Sequence, residues 1–344
     1  MKSKISSSPF GPLFADYIAG CDDPVIAAVD ATFATIPMLT GYCPPAWRKA
    51  LDVMIPKKSD SVAVEKLRII ILFHALYNMF NKGIGRSMLE HAEKFNLIPQ
   101  EIYGSRRGHR AIECGLNKIL TADVSRQSRV PLALCSSNDA VSCYDRIIHS
   151  VASLCMQRLG VSSSQCHLLL GTLQQVEHYV RTSYGDSASN YCGIRLRPLQ
   201  GIGQGNGAGP AIWLVITIPL INMLRQEGFG FHHLSAISGT DCDFVCYTFV
   251  DDTDLVHSTT VSSALIEGLQ SMLSLWEGGL LATSGALSDS KSYWYAFDYK
   301  WTGKKWVYTT STDLPGSLRL SGPRGPQSVL LSRLEPDEAR ETLG

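Results

Sequence analysis

Apolar side chains along this chain follow two periodicities, and the switches between them lay out its elements. Val130-Pro131-Leu132-Ala133-Leu134-Cys135 is an unbroken apolar run, the pattern of a strand covered on both faces. Residues 242–248 and 253–257 are β-prone runs joined through Phe249-Val250-Asp251-Asp252, which predicts a hairpin with two adjacent carboxylates at its tip. Such a tip is repulsive unless a cation sits there. Residues 44–58 read as a short strand entering a basic turn, with 66–72 as the returning strand. Helical spacing of Met79, Ile84, Met88, Leu89 and Ala92 predicts a helix over 76–95. Further helices are predicted over 111–120, 146–155, 164–179 and 262–281. A hairpin with a Ser-rich loop is expected over 180–196, and aromatic strands at 293–297 and 305–308 joined through Thr302 and Gly303. Residues 1–40 read as mixed helix and loop.

Composition narrows the class. A chain of 344 residues, 45% of them hydrophobic, can bury a full core and form two or three subdomains without disulfide staples. Thirty-one basic residues balance thirty-one acidic ones, which argues against a strongly basic nucleic-acid binder. The balance is uneven along the chain: residues 48–110 carry twelve basic against six acidic side chains, while Glu335, Asp337, Glu338 and Glu341 make the tail acidic. A local basic surface is enough to hold a phosphate backbone, although any single Lys or Arg there is accounted for by a solvated helix face. Ten cysteines without a Cys-x-x-Cys pair fit neither a disulfide framework nor a zinc knuckle. The longest apolar run, 211–224, is shorter than the roughly 20 residues of a membrane span and contains Pro219, so a buried helix and no membrane partner are expected. The first residues lack a signal-peptide core, which points to an intracellular setting, cytoplasm or nucleus, and not to secretion.

The acidic hairpin gains its meaning from two upstream stretches. The apolar run 130–135 leads through Ser136-Ser137-Asn138 into Asp139-Ala140-Val141-Ser142-Cys143-Tyr144-Asp145, and Gln200-Gly201-Ile202-Gly203-Gln204-Gly205 runs on to Pro210 ahead of the apolar helix. With these three motifs in this order the chain resembles the reverse transcriptase family, the RNA-directed DNA polymerases of retroelements. Asp139, Tyr144 and Asp145 match its first motif; Gly201, Gln204, Gly205 and Pro210 its second; Phe249, Asp251 and Asp252 its third. Gly203 stands for the usual Pro and Gly209 for the usual Ser, which implies a looser loop than in most relatives.

The resemblance implies an α+β right-hand polymerase fold of fingers and palm, an antiparallel palm sheet backed by helices, and a thumb absent or truncated. It covers residues 44–310. The implied organisation is an extension at 1–40, fingers at 41–128 with 150–200 returning to them, palm at 129–149 and 201–310, and the start of a truncated region at 311–344. Asp139, Asp251 and Asp252 are the implied ligands of two Mg²⁺ ions, Mn²⁺ being an alternative; oxygen donors at this density suit those metals rather than zinc. Asp139 taken alone reads as a helix N-cap. Tyr144 stands where the family sets an aromatic ring against the sugar of the incoming nucleotide, favouring deoxynucleoside triphosphates. Gln204 and Gly205 would line the nucleotide pocket, and Arg68 with Lys57 or Lys58 would neutralise its triphosphate. Lys291 falls at the place of a general acid near the pyrophosphate, or is a plain exposed loop Lys. Arg106 and Arg110, in a Gly-punctuated basic turn, fall near the template strand of relatives, or begin a solvated helix. Asp145 reads as a helix cap or a partner of Arg146, outside the catalytic set. The expected function is template-directed DNA synthesis on an RNA or DNA template with primer. The alternative is a non-catalytic palm-type module that binds nucleic acid, left by a decayed or truncated retroelement.

Overall fold

The structure, a computed structural model, describes residues 7–57, 63, 67–136, 140, 142–235, 238–321, 328–338 and 340. The chain divides into two compact units, one of residues 1–97 and 144–215, the other of residues 98–143 and 216–344.

In the first unit a four-stranded sheet is built around Lys49–Pro56. Leu67–Leu72 pairs with it antiparallel, with Val53 opposite Ile70, so the predicted strand and its return are both present. On its other side Glu177–Thr182 pairs parallel, Leu51 opposite Tyr179, and carries the short strand Gly185–Asp186 at its edge. The helix predicted over 164–179 is therefore shorter: it spans Ser163–Gln174 and gives way to this strand. His178, Tyr179 and Val180 have strand-favouring side chains, and the edge of Lys49–Pro56 supplies the ladder that an isolated helical pattern cannot foresee. Ser162 caps the helix through a reciprocal pairing with Gln165. The long helix Ala75–Lys94 matches the expected one, and it anchors the core: Tyr77, fully buried, donates to the Leu169 carbonyl at 2.8 Å and packs 5.9 Å from the ring of Trp47. Within 1–40 the helices are Phe14–Gly20 and Pro24–Thr40, the second capped by Asp23.

The second unit holds a five-stranded sheet ordered Ser332–Leu334, Tyr293–Phe297, Leu132–Ser136, Asp252–Ser258, Cys246–Phe249. All neighbours are antiparallel except the outermost Ser332–Leu334, which runs parallel to Tyr293–Phe297. Every residue of Leu132–Ser136 is buried, as the apolar run predicted. Leu132 and Leu134 join Cys114, Tyr247 and Val256 in one cluster, on the face covered by the helix Ala111–Ser128. The alternate residues meet the helix Leu265–Ala282, which packs on Leu132–Ser136 and Asp252–Ser258. A central strand sandwiched this way contributes about 1.5–3 kcal/mol per fully buried Leu.

Three expectations change here. The helix from Ala111 continues to Ser128, stopped by Arg129 in the left-handed region (φ +54°), because residues 121–128 keep helical spacing past Leu120. The run 242–248 splits: Asp241–Phe244 forms a separate ribbon with Phe231–Leu234, and only Cys246–Phe249 enters the main sheet. Trp306–Tyr308 pairs with Tyr299–Trp301 and not with Tyr293–Phe297, since Asp298 breaks the aromatic stretch by accepting from the Tyr299 amide at 2.8 Å. The apolar run 211–224 is the helix Gly209–Gln226, and no helix among the described residues is long and apolar enough to cross a membrane.

Candidate active site

The predicted hairpin is present in the second unit. Cys246–Phe249 and Asp252–Ser258 pair with Phe249 opposite Asp252, which leaves Val250 and Asp251 as a two-residue tip. Such tips favour Gly, Asn or Asp because positive φ is required. Val250 nevertheless sits at φ +60°, a conformation that costs a β-branched residue roughly 1–3 kcal/mol and is held by its surroundings. Asp251 and Asp252 are both half-buried.

Two residues past Asp252, on the same side of the strand, Asp254 is almost wholly buried and bonded at 2.7 Å to Nζ of Lys118, from the helix Ala111–Ser128. Sequence reasoning missed this pair; an Asp repeated at i+2 in a strand was the available signal. Sequence reasoning also missed an edge contact. Residues 101–103 run parallel beside Cys246–Phe249, with the Thr248 amide donating to the Glu101 carbonyl at 3.0 Å and the Tyr103 amide to the Thr248 carbonyl at 2.9 Å.

Asp139 lies outside the described residues. Its neighbours do not: Leu132–Ser136 ends three residues before it, paired through Cys135 with Leu255, and Ala140 bridges antiparallel to Leu287. Lys291 is exposed and closes the turn Asp289–Lys291 ahead of Tyr293–Phe297. Arg106 is half-buried and donates to the Ile102 carbonyl at 2.9 Å and the Pro99 carbonyl at 3.4 Å, so its guanidinium also serves the backbone. Arg110 is exposed at the start of the helix Ala111–Ser128, its amide donating to Glu113 Oε2 at 3.1 Å.

The residues expected around the nucleotide belong to the first unit, apart from Lys58, which lies outside the described residues. Arg68 is exposed on Leu67–Leu72, opposite Ile55. Three residues on, the Ile71 amide donates to the Gln204 carbonyl at 2.7 Å, and the Tyr144 carbonyl accepts from the Ile202 amide at 2.8 Å, so one loop ties Arg68's strand, Gln204 and Tyr144 together. Gly205 (φ +116°) brings its backbone so close that a Cβ would stand 2.3 Å from the Ile71 carbonyl oxygen. Gly203 has φ +67°, a value closed to proline. Hydrogen bonds from neighbouring elements tie the loop down. His149 Nε2 meets the Gly201 carbonyl at 2.6 Å, and Asn78 spans the Gly205 carbonyl at 2.8 Å and the Gly207 amide at 2.6 Å. Burial holds the His149 imidazole below its ordinary range, although the Gly201 carbonyl acts the other way. A cleft of about 150 Å³ beside this loop is lined by Asp145, His178, Tyr191, Gln200 and Gly201 among others. Burial pushes the Asp145 carboxyl up, and Lys57 opposes it.

Among the described residues no three His, Cys, Asp or Glu side chains are grouped to hold a metal. Asp251 and Asp252 are adjacent hard oxygen donors, a chemistry that fits Mg²⁺ or Mn²⁺.

The sequence model of the family described as reverse transcriptase (RNA-dependent DNA polymerase) matches residues 55–299. A curated relative, the retrovirus-related Pol polyprotein from type-1 retrotransposable element R2 of Popillia japonica, is 23% identical over 215 residues. That alignment takes in 60% of this chain and 28% of the relative, so the chain spans less than a third of that protein's length. Among solved structures, apo telomerase from Candida tropicalis truncated from its C-terminal domain superposes with a TM-score of 0.51 at 11% identity, over 78% of this chain and 54% of that one. Telomerase from Candida albicans in complex with a TWJ fragment of telomeric RNA gives 0.49 at 12% identity, over 78% and 43%. The fold is thus the right-hand polymerase type, mixed helices and antiparallel sheets forming fingers and palm. With the family's sequence model matching most of its length, including all three motif regions, the chain belongs to the reverse transcriptase (RNA-dependent DNA polymerase) family.

Proposed function

We propose that this chain performs template-directed DNA synthesis for a retroelement, as an RNA-directed DNA polymerase working by two-metal nucleotidyl transfer. The observation that carries the reading is the Asp251 and Asp252 hairpin, paired in register with the strand that leads to Asp139, in a chain of this family. Asp139 is tethered to Ser136 by three residues, at most about 11 Å of extended chain. In this reading the sheet that holds Leu132–Ser136, Asp252–Ser258 and Cys246–Phe249 belongs to the palm, and the sheet built around Lys49–Pro56 to the fingers.

Asp139, Asp251 and Asp252 would hold the two divalent ions, which lower the pKa of the primer 3′-hydroxyl and neutralise the leaving pyrophosphate. The chain's own residues do the rest. Arg68, with Lys57 or Lys58, binds the triphosphate of the incoming deoxynucleotide as a charge clamp. Tyr144 excludes a 2′-hydroxyl, and Gln204 and Gly205 offer a rigid backbone surface to the nucleotide. Lys291 hands a proton to the departing pyrophosphate. Arg110, with Arg106 in part, holds the template backbone.

Balanced net charge favours the second reading, a non-catalytic module that binds nucleic acid. Mg²⁺-dependent primer extension on an RNA template with labelled deoxynucleotides separates the two. Incorporation by the native chain and none by Asp251→Asn is expected. Equal incorporation by both proteins sinks the mechanism, and none by either favours the module.

A further inference from the structure

The segment from Glu101 to Gly104 has no assigned role, yet its backbone lies hard against the acidic tip. A Cβ built on Gly104 would lie 2.3 Å from the Val250 amide nitrogen, 3.0 Å from Val250 Cγ2 and 3.1 Å from the Phe249 carbonyl carbon. Gly104 therefore stands directly against the one residue of the tip whose backbone is strained. Two ladder bonds through Thr248 fasten the segment to the hairpin strand. The segment is itself anchored through Glu101 and Ile102. Glu101 is fully buried, its carboxylate accepting from the Arg225 guanidinium and from the Val245 amide at 3.4 Å. Arg225 also lies 3.8 Å from Asp243, and Arg106 ties down the carbonyls of Pro99 and Ile102.

A strained tip relaxes unless something denies it room. We propose that residues 101–104 are a brace that holds Val250 in its left-handed conformation and so sets where the Asp251 and Asp252 carboxylates point. Gly104 is then a positioning residue: it is the only residue type that lets the brace close on the tip. The inference rests on the catalytic reading of those two acids, and its test is chosen to outlive that reading.

Gly104→Ala is compared with Gly115→Ala, which adds the same methyl group where no atom lies within 4 Å. Two quantities are measured: hydrogen exchange of the peptide covering residues 248–252, which needs no activity, and single-nucleotide incorporation with Mn²⁺. Gly104→Ala is expected to speed exchange at 248–252 at least tenfold and leave that of 132–136 unchanged. It should lower kcat at least tenfold with the deoxynucleotide KM within twofold. Exchange equal to that of the control overturns the brace, whatever happens to kcat. Faster exchange with kcat within twofold overturns the positioning role. A native chain that incorporates nothing removes the catalytic reading, while the exchange result still decides the brace. If Gly104→Ala does not fold, Glu101→Gln keeps the side-chain volume and weakens the Arg225 anchor; unchanged exchange at 248–252 in that variant overturns the proposal.

Discussion

Lys118 and Asp254 form an ion pair at 2.7 Å with 13% and 8% of their side chains exposed, Asp254 lying two residues along the strand from Asp252. A pair this deep is costly to break from one side, because the remaining charge stays buried without its partner. Lys118→Met is expected to destabilise the chain by about 3–5 kcal/mol in urea unfolding. Lys118→Met combined with Asp254→Leu should recover most of that loss. A single variant as stable as the native chain would show that the pair contributes nothing.

Gly205→Ala tests the loop that carries Gln204. The added methyl meets the Ile71 carbonyl oxygen at 2.3 Å and the backbone is in a left-handed conformation, so strand and loop must separate. The expected outcome is a loss of about 2 kcal/mol or more in stability and a deoxynucleotide KM raised at least tenfold. Steady-state kinetics beside thermal unfolding measure both.

Tyr144→Ala tests sugar choice. If the ring excludes the 2′-hydroxyl, the variant should use ribonucleotides at least tenfold better relative to deoxynucleotides. Primer extension with each nucleotide set reads that ratio directly, and an unchanged ratio removes the gate from Tyr144.

Alkaline stability follows from buried thiols. Burial, followed by the Asp254 carboxylate, pushes the Cys114 thiol up to about 12 from its ordinary 9.0, and burial raises Cys246 well above the same value. Below pH 9 both states keep these protons. As pH rises from about 9 toward 12 the unfolded chain loses them first, so stability should fall over that window. Cys114→Ala should make the fall between pH 9 and 10 shallower than in the native chain, the buried tyrosines adding the same smaller slope to both proteins. Denaturant midpoints across that range give the slope. Iodoacetamide at neutral pH should label the exposed Cys21 and Cys192 well before Cys114 or Cys246.

How far the sequence could be read depended on whether a pattern was local. Leu132–Ser136 and the acidic hairpin were legible because an unbroken apolar run and a charged pair between β-prone runs each have one good structural solution. Glu177–Thr182 was legible only from Val180 on, as the first strand of the expected hairpin; Glu177, His178 and Tyr179 read as the end of a helix, since the partner strand lies more than a hundred residues away. Asp52 shows the same limit. It interrupts an otherwise apolar strand, and only tertiary structure explains it: fully buried, it accepts from Tyr191 Oη and meets His178 Nδ1 at 3.0 Å. The motif residues were picked out by their resemblance to a family's three motifs, whereas the residues packed around those stretches, Lys118 and residues 101–104 in one unit, Asn78 and His149 in the other, carry no periodic signal. Support comes from side chains that happen to arrive from other elements, and a single sequence does not announce arrivals.

The outermost strand Ser332–Leu334 has a practical consequence for anyone shortening this protein. Its pairing satisfies the outer ladder of Tyr293–Phe297, a segment of four aromatic residues with Ala296 between the last two. A piece cut at residue 299, where the family's sequence model stops matching, would leave that aromatic ladder open to any other chain offering a strand. Insoluble aggregates are the expected product of that cut, and fragments carried on to residue 340 should stay dispersed.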